Sequence, residues 1–571
     1  MTTPETPAAI TPATPGRLPR ARLVLAGSMF VMGIAGMLYE YALASIGNNM
    51  MGSSHEQIFV IIGLMMFAMG IGAAVQRKFT GPVLDLFIAA ELALALLGGL
   101  SCLIAYAAYG FMTSYGVVLY SLALAIGFLV GLEVPLLIRI NETYAKALRS
   151  NLGDILSMDY VGSLAGALLF AYVLLAKVPL TQIALAAGVV SVLVAAFGLF
   201  YFRGLVRRPR TLALACVATL ATLSVAWFNA ERWVIDIEQR TYEDPIVFRE
   251  TSVYQHVVLT ERNDHLRMYI NGHLQFSSRD EAIYHELLVH TPMALAARHD
   301  RVLILGGGDG LALREVLEHA GVREVVLVDI DPVITRLAAE HPRLVEVNRA
   351  AFSDARVSDL APAGITPGEM ITVTRPSTLA AEYWDDRDYE LADVSVIHLD
   401  AELFLRDLNG PPFNVIIADF PDPKQIAIAK LYSVGFYTRV QRHLAEGGIM
   451  SVQSSSPYHA PLVFAGIGKT LETAGFVVLP YHHNVPSFGD WGFHLAWRSA
   501  DADLPPTPAA MTGRVRGLRR FAAPTDAITP DVLAAALAFP DGWVDTGTET
   551  IRPNTQMRPV LVEYHRRSWR K

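Results

Sequence analysis

The stretch Val302-Leu303-Ile304-Leu305-Gly306-Gly307-Gly308-Asp309-Gly310 decides the fold of the second half of the chain. Its four apolar residues are typical of a buried parallel strand, and residues 311–319 have the pattern of the helix that follows such a strand. Glycines let the backbone turn sharply and approach a ligand closely. Because glycine-rich turns open many nucleotide sites, this one predicts a ligand at the turn but leaves its identity open.

Asp309 restricts the kind of ligand that this turn can bind. A carboxylate in the tightest part of the loop repels phosphate, and the loop lacks the Lys-Ser/Thr ending of a phosphate-binding NTPase loop. The acid suits a cationic ligand without phosphate, such as an S-adenosyl sulfonium compound. We therefore predict that Gly306, Gly308 and Asp309 bind a ligand of this class.

Three later apolar stretches also end in an acid, as parallel strands that reach a ligand crevice do. They cover residues 325–328, 394–399 and 415–418, and the acids are Asp329, Asp400 and Asp419. Asp329 follows the glycines by about twenty residues, the spacing of an acid that binds ribose hydroxyls, and Asp400 is a candidate partner for an adenine amino group. The pattern predicts a Rossmann-like α/β domain with a mostly parallel sheet over 301–500, with an insertion at about 353–393.

Composition divides the 571-residue chain into a basic, apolar part and an acidic part. Of its 46 Lys and Arg and 54 Asp and Glu residues, 13 and 9 precede residue 230. The acidic remainder disfavours nucleic acid and favours a cationic substrate. The two cysteines, Cys102 and Cys216, lie in apolar stretches, so no disulfide framework or cysteine-type zinc site is expected in the second half. We expect no metal and no cofactor.

Long apolar segments predict an α-helical transmembrane bundle of about seven spans over residues 23–229. Each segment is long enough to cross ~30 Å of hydrocarbon. The Thr/Pro/Ala-rich start, residues 1–22, is predicted to be disordered. The predicted spans lie near residues 23–45, 57–76, 83–108, 113–138, 159–176, 183–202 and 211–228.

Loop charges and buried acids give two further expectations for this bundle. Basic loop residues other than Lys177 fall on one side, which predicts a multi-pass protein of the cell (inner) membrane with a cytoplasmic amino terminus. Glu40, Glu91, Glu133 and Asp159 lie within or at the ends of spans. Such acids either have a structural role, by pairing helices or lying at the membrane interface, or form a path for cations, and the sequence leaves both interpretations open.

The segments on either side of the α/β domain have weaker patterns. Residues 230–300 are predicted to be β-rich, with a strong hairpin signal at Asn271-Gly272. Residues 501–571 are predicted to be a Pro/Ala-rich tail that ends in basic and aromatic residues.

Several motifs in a fixed order carry a resemblance to a known family. In the second half they span about 170 residues, a spacing far more specific than a glycine loop alone. They are Tyr254-Gln255, residues 271–275, Arg279-Asp280-Glu281-Ala282-Ile283-Tyr284-His285-Glu286, residues 306–310 with Arg314-Glu315, and Asp419 with Asp422-Pro423. This half resembles the spermidine synthase (polyamine aminopropyltransferase) family. Residues 131–137 and 159–162 make the first half similar to the membrane-bound, multi-span branch of that family.

The resemblance implies transfer of an aminopropyl group from decarboxylated S-adenosylmethionine, a co-substrate, to a primary amine such as putrescine. Asp309 would pair with the donor's ammonium and repel the carboxylate of ordinary S-adenosylmethionine. It also implies Asp419 as the base that deprotonates the amine, Tyr284 as its phenolic partner, and Asp422 as a residue that holds the amine. The further donor contacts that it implies are Gln255, Gln275 and His285.

The chain departs from the family on the acceptor side. Phe420-Pro421 stands where the family often has Ser-Ser, and residues 453–456 offer hydroxyls where an acid is common. Phe488, in a loop that also carries Trp491, stands about where the family tends to carry a tyrosine. We expect both aromatic residues to line the acceptor site, and the acceptor need not be putrescine.

The sequence leaves two other functions and one conflict open. A methyltransferase could use the same sheet, although Asp309 and the Asp419/Asp422 pair disfavour it. A polyamine transporter or sensor could bind without turnover, although Asp419 and Tyr284 disfavour that. Seven spans place the catalytic half outside the cytoplasm, whereas a donor made in the cytoplasm argues for the inside. We also expect a homodimer or a larger homo-oligomer.

Overall fold

Seven long helices make up the described part of the first of two units in the computed structural model, which divides into Met1–Glu243 and Asp244–Lys571. The structure describes residues 18–50, 55–79, 81–142, 148–175, 177–353, 369–370, 392–499, 507–541, 543 and 550–568. The helices of the first unit are α1 (Leu18–Met50), α2 (His55–Val75), α3 (Val83–Phe111), α4 (Tyr115–Glu142), α5 (Leu148–Leu169), α6 (Leu180–Tyr201) and α7 (Pro209–Gln239).

Each of these helices is long and apolar enough to cross a membrane. Three of them differ clearly in extent from the predicted segments. α5 begins at Leu148, eleven residues before the predicted start at residue 159. α1 begins at Leu18, inside the segment predicted to be disordered, and residues 1–17 lie outside the described part. α7 continues to Gln239, well past the predicted end at residue 228, because its last turns are helical but polar. Hydropathy therefore marks the end of the apolar part of α7 and not the end of the helix.

Small residues bring the backbones of these helices close together. A Cβ atom added to Gly131 of α4 would lie 2.2 Å from the carbonyl oxygen of Met69 in α2. One added to Gly162 of α5 would lie 2.1 Å from the carbonyl oxygen of Phe30 in α1. Close approach at small residues is typical of helices that associate in a bilayer.

The four acids predicted to lie within spans have two environments. Glu91 and Glu133 are buried in the bundle, with exposed fractions of 0% and 3%, whereas Glu40 and Asp159 are partly exposed. Both carboxyl oxygens of Glu91 lack a hydrogen-bond partner among the described residues. Helix pairing and a cation path are both compatible with this placement.

The second unit opens with an antiparallel sheet of four strands in the order β1 (Ile246–Thr251), β2 (His256–Arg262), β3 (His265–Ile270) and β4 (His273–Ser277). The predicted turn joins β3 to β4, and both of its residues have the positive φ that a tight hairpin turn needs, 51° at Asn271 and 77° at Gly272. Strands occupy only the middle of the segment 230–300, because α7 enters it and α8 (Glu281–Leu295) ends it.

A larger, mostly parallel sheet follows, which confirms the predicted Rossmann-like domain. Its described strands are β5 (Arg301–Gly306), β6 (Glu324–Asp329), β7 (Glu369–Met370), β8 (Asp393–His398), β9 (Phe413–Asp419), β10 (Leu444–Gln453), β11 (Val477–Val485) and β12 (Gly489–Trp497). Their spatial order is β11-β12-β10-β9-β5-β6-β8-β7. The pairs from β10 through β8 are parallel, and β7, β11 and β12 pair antiparallel at the two edges.

Helices cover both faces of this sheet, whose central strands are almost entirely buried. They are α9 (Leu311–Leu317), α10 (Pro332–Glu340), α11 (Pro342–Val347), α12 (Ala401–Asp407), α13 (Ile426–Ala429), α14 (Val434–His443), α15 (Pro461–Thr473), α16 (Pro508–Gly517), α17 (Pro530–Ala535) and α18 (Val560–Ser568). Because β5, β6, β8 and β9 are parallel neighbours, their carboxyl ends meet at one edge of the sheet.

The insertion and the tail both contribute to the second unit. Most of the insertion, predicted at about 353–393, lies outside the described residues, but Glu369–Met370 adds the edge strand β7. In the tail, Leu533 and Leu561 are fully buried. The carboxylate of Glu286 in α8 accepts hydrogen bonds from the backbone N–H groups of residues 526–528, at 2.7–3.1 Å. The described part of the tail is therefore packed onto the α/β domain.

Candidate active site

The glycine turn after β5 holds three strand ends together. Gly306 has φ +83°, and a Cβ atom there would lie 2.1 Å from the carbonyl oxygen of Asp419 at the end of β9. The N–H of Gly308 donates to Asp329 Oδ2 at the end of β6, at 3.0 Å, and a Cβ atom there would lie 2.7 Å from that oxygen. Both positions need glycine because backbone and carboxylate approach too closely for a side chain.

Asp329 is fixed in an orientation that suits a ligand. While Oδ2 accepts from Gly308, Oδ1 accepts from the N–H of Asp331 at 2.8 Å. Loss of water around the carboxyl raises its pKa to about 6. The side chain remains partly exposed at the crevice. The geometry fits a carboxylate that accepts hydrogen bonds from ribose hydroxyls, and this role remains a prediction.

Asp309 lies in the turn itself and is buried. Its Oδ1 accepts from the N–H of Leu311 at 3.0 Å, and its carbonyl accepts from Asn348 Nδ2 at 3.1 Å. Burial raises the pKa of Asp309 to about 6; the nearby Asp419 acts in the same direction, and His285 opposes it. Sequence reasoning missed Asn348, which is fully buried and braces the turn from the end of α11.

A short hydrogen bond joins the predicted base to the predicted phenol. Tyr284 Oη in α8 donates to Asp419 Oδ1 at 2.6 Å. Burial, and then the charge of Asp419, raise the pKa of Tyr284 well above its ordinary value, so it remains a donor at neutral pH. Burial also raises the pKa of Asp419, whose Oδ2 lies 4.0 Å from His285 Nε2. One carboxylate oxygen is thus engaged by the phenol and the other faces the imidazole.

The turn after Asp419 is held by buried side chains that the sequence did not single out. Tyr432 Oη donates to the carbonyl of Phe420 at 3.1 Å, and Gln453 Nε2 donates to the same carbonyl at 2.6 Å. These bonds fix the direction in which the chain leaves β9, and the charges of Asp419 and Asp422 both act on Tyr284 and on Tyr432. Gln453 and residues 454–456 are buried, so their side chains support this turn and the neighbouring strands from within.

Asp422 has one carboxylate oxygen without a partner. Its Oδ1 is buried and has no hydrogen bond among the described residues. Its Oδ2 lies 3.8 Å from both Lys424 Nζ and His565 Nε2, too far for a hydrogen bond. Leaving a buried acceptor unpaired is costly, so Oδ1 is suited to accept from a ligand ammonium.

Aromatic rings border this group of acids. Tyr284 and Phe488 meet edge to face with ring centroids 6.0 Å apart, and Phe488 contacts Trp491 at 5.1 Å. The indole Nε1 of Trp491 is buried and has no partner among the described residues. The structure therefore brings both predicted aromatic residues next to the phenol of Tyr284.

Comparison with known proteins identifies the family. The model of the spermine/spermidine synthase domain matches residues 281–365 and 378–505, which include Asp309, Asp329, Asp419 and Asp422. A polyamine aminopropyltransferase of Streptomyces coelicolor is 37% identical over 562 residues, covering 96% of this chain and 95% of its own length. The chain belongs to the polyamine aminopropyltransferase family. Relatives from Ralstonia nicotianae (35% identity, 98% of this chain and 97% of the relative) and Mycobacterium tuberculosis (33%, 96% and 97%) have the same name.

Membership in the aminopropyltransferase family confirms the predicted activity, transfer of an aminopropyl group. It does not support the methyltransferase alternative. Among solved structures, spermidine synthase from Thermotoga maritima is similar over 52% of this chain and 85% of its own, with 21% identity and a TM-score of 0.38. Among the described residues, no group of three His, Cys, Asp or Glu side chains is arranged to hold a metal ion.

Three predicted donor contacts of this aminopropyltransferase have other contacts in the structure. Asp400 caps α12 by accepting from the N–H of Glu402 at 2.9 Å and pairs with Lys430 Nζ at 2.6 Å, so its role toward adenine remains a prediction. Gln275 Nε2 donates to the carbonyl of His273 in its own strand at 3.1 Å. Gln255 lies in a loop that the hydroxyl of Ser252 ties to Asp331, at 2.7 Å.

Proposed function

We propose that the protein moves the aminopropyl group of decarboxylated S-adenosylmethionine to a primary amine of a diamine or polyamine. The observation that carries this proposal is the 2.6 Å hydrogen bond from Tyr284 to Asp419. Asp422, whose buried Oδ1 has no partner among the described residues, also acts on Tyr284 through its charge. A carboxylate held by a phenol at a strand end, with a second carboxylate beside it, suits an acceptor that arrives as an ammonium.

The reaction assigns one task to each acid. Asp309 holds the ammonium of the donor's aminopropyl arm, and Asp422 holds the acceptor. Asp419 takes a proton from the acceptor ammonium and leaves a lone pair on its nitrogen. That lone pair attacks the carbon next to the donor sulfonium. The carbon–sulfur bond breaks with its electron pair moving to sulfur, which leaves neutral methylthioadenosine and a new secondary amine in its protonated form, so that the positive charge moves from sulfur to nitrogen.

The acceptor side favours an amine with an apolar chain. Phe488 and Trp491 lie beside Tyr284, and an aromatic wall suits the methylene chain of a diamine. Putrescine is our first candidate, and longer diamines are the alternative because residues 453–456 supply no acid for a distal ammonium.

A direct assay tests this function. Purified full-length protein is incubated with either decarboxylated or ordinary S-adenosylmethionine and with a series of diamines of increasing length. We expect methylthioadenosine and an aminopropylated amine in equal amounts, formed only with the decarboxylated donor. Formation of a methylated amine from ordinary S-adenosylmethionine would favour the methyltransferase, and amine binding without turnover would favour a sensor.

We also propose that the enzyme is a multi-pass membrane protein with a cytoplasmic amino terminus, and that it forms a homodimer or larger oligomer. The seven apolar helices and their close small-residue contacts support the membrane part of this proposal. We expect the protein to resist extraction by carbonate and to dissolve in detergent. Added protease should cut the second unit in intact spheroplasts if an odd number of spans places it outside the cytoplasm. Cleavage only after lysis would place it inside and would require an even number.

A further inference from the structure

A buried arginine of α9 pairs with two carboxylates, one of them in α8, that the proposed reaction does not use. Arg314 is 3% exposed, and its two terminal nitrogens donate to the two oxygens of Glu281 at 2.8 and 2.9 Å. Its Nε donates to Glu315 Oε1 at 2.7 Å. Two-point pairing of this kind fixes the plane and position of the Glu281 carboxylate.

Each of the two carboxylates in turn holds one histidine. Glu281 Oε2 lies 2.8 Å from His285 Nδ1, one helical turn along α8. Glu315 Oε2 lies 2.8 Å from His290 Nε2. The arrangement is almost symmetric about Arg314, but its two ends differ in what they reach.

Of the two glutamate–histidine pairs, only Glu281 and His285 reach the active site. His285 Nε2 lies 4.0 Å from Asp419 Oδ2, and His285 also interacts with the charge of Asp309. His290 instead contacts His319 through its Nδ1, at 2.8 Å, away from the reacting groups. Glu281 and Glu315 can therefore be compared directly, because only the histidine bound by Glu281 lies beside the proposed catalytic base.

The protonation state of His285 depends on Glu281. Burial lowers the pKa of His285, but the hydrogen bond and charge of Glu281 outweigh burial and raise it to about 9, with Asp309 and Asp419 adding to the rise. The groups facing the imidazole are thus Glu281 on its own helix, Asp309 from the glycine turn, Asp419 from β9 and the phenol of Tyr284. At neutral pH the imidazole is charged and its Nε2–H faces Asp419.

We propose that Glu281, anchored by Arg314, is a positioning residue that keeps His285 as an imidazolium directed at Asp309 and Asp419. This charge keeps both carboxylates ionised before the cationic substrates arrive, so that one can bind the donor's ammonium and the other can accept a proton. The inference rests on the proposed function of Asp309 and Asp419. It adds the residues that keep these two carboxylates ionised.

The test compares Glu281→Gln with Glu315→Gln in the purified full-length enzyme. Both changes remove one carboxylate from Arg314 at a similarly buried position, but only the first releases His285. In Glu281→Gln the pKa values of Asp309 and Asp419 should rise. The imidazolium charge that is lost acts on Asp309 more strongly than the Glu281 charge that is lost with it. We expect the acid limb of the kcat/KM profile to move up by about one pH unit, which lowers kcat/KM about tenfold on the acid side of the limb and less at neutral pH. Glu315→Gln should keep the wild-type profile and lose only thermal stability.

A second variant keeps the proposal testable if Glu281→Gln does not fold. His285→Gln removes the imidazole and leaves the Arg314 pairs intact, and it should move the acid limb in the same direction. Equal profiles for Glu281→Gln and Glu315→Gln, or an unmoved acid limb in His285→Gln, would overturn the proposal. Wild-type protein without aminopropyl transfer would instead refute the proposed function. In that case, the pH dependence of donor binding in the same variants still tests the role of Glu281.

Discussion

Replacing Asp419 by asparagine should lower turnover by about 10²-fold or more, the usual size of the loss of a general base. Asparagine keeps the shape of the side chain and can still accept the hydrogen bond from Tyr284, but it cannot take a proton from the acceptor ammonium. Donor binding should be largely kept, because Asp309 and Asp329 are unchanged. The measurement is the rate of methylthioadenosine formation under saturating donor and acceptor, with donor affinity determined separately by calorimetry.

The pH dependence of the same variant gives an independent check. Because burial raises the pKa of Asp419, wild-type activity should be lost as the pH falls through that raised value and should be present above it. Asp419→Asn should lack this limb in its residual activity. Asp393→Asn, at an exposed position in the first residue of β8, is a matched control and should behave as wild type. Near-normal turnover in Asp419→Asn would refute the assignment of the base.

The part of the site formed by the glycine turn after β5 and the acids near it was predictable from the sequence. The glycine turn, Asp309 and Asp329 lie within a short stretch, and the rule that parallel strands end at a common crevice places Asp419 beside them. The hydrogen bonds from Gly308 to Asp329 and from Leu311 to Asp309 are local consequences of that stretch. The spacing of the residues was sufficient here because a glycine turn between a parallel strand and a helix allows few backbone conformations.

Other contacts depend on packing between distant segments. Tyr284 and Asp419 are 135 residues apart, and in the sequence only the family resemblance links them. Arg314 and Glu281 were visible as motif residues, but nothing in their spacing indicated that a two-point buried pair would link α8 to α9. Since helices pack according to their whole buried faces, such pairs follow from tertiary structure and not from local pattern.

The length of α7 and the fate of the tail have a related explanation. Hydropathy detects residues suited to hydrocarbon, so it ended the seventh segment at residue 228 while the helix continued to Gln239. The Pro/Ala-rich composition after residue 500 suggested a tail, yet Glu286 holds residues 526–528 through backbone N–H groups. Because Glu286 binds only backbone N–H groups, the composition of residues 526–528 gives no indication of this contact.

Asp309→Asn should change which donor the enzyme prefers. The proposed pair between Asp309 and the donor's ammonium is a charge-assisted hydrogen bond, so its loss should weaken binding of decarboxylated S-adenosylmethionine by about 10- to 100-fold. Ordinary S-adenosylmethionine should lose less or gain, because asparagine no longer repels its carboxylate. The ratio of the two dissociation constants should therefore shrink by about tenfold or more.

Methylthioadenosine provides the control for this variant, because it keeps the adenine and ribose but lacks the aminopropyl ammonium. Its affinity should be nearly the same in wild type and Asp309→Asn. Asp309 and Asp329 both have a pKa of about 6 in the free protein, so wild-type binding of the decarboxylated donor should weaken as the pH falls through 6. The affinity for methylthioadenosine should vary with pH only through the ionisation of Asp329. In Asp309→Asn, the affinity for the decarboxylated donor should show this same, weaker pH dependence. If the ratio of donor dissociation constants does not change, Asp309 does not face the aminopropyl arm, and the selection against ordinary S-adenosylmethionine must arise elsewhere in the crevice.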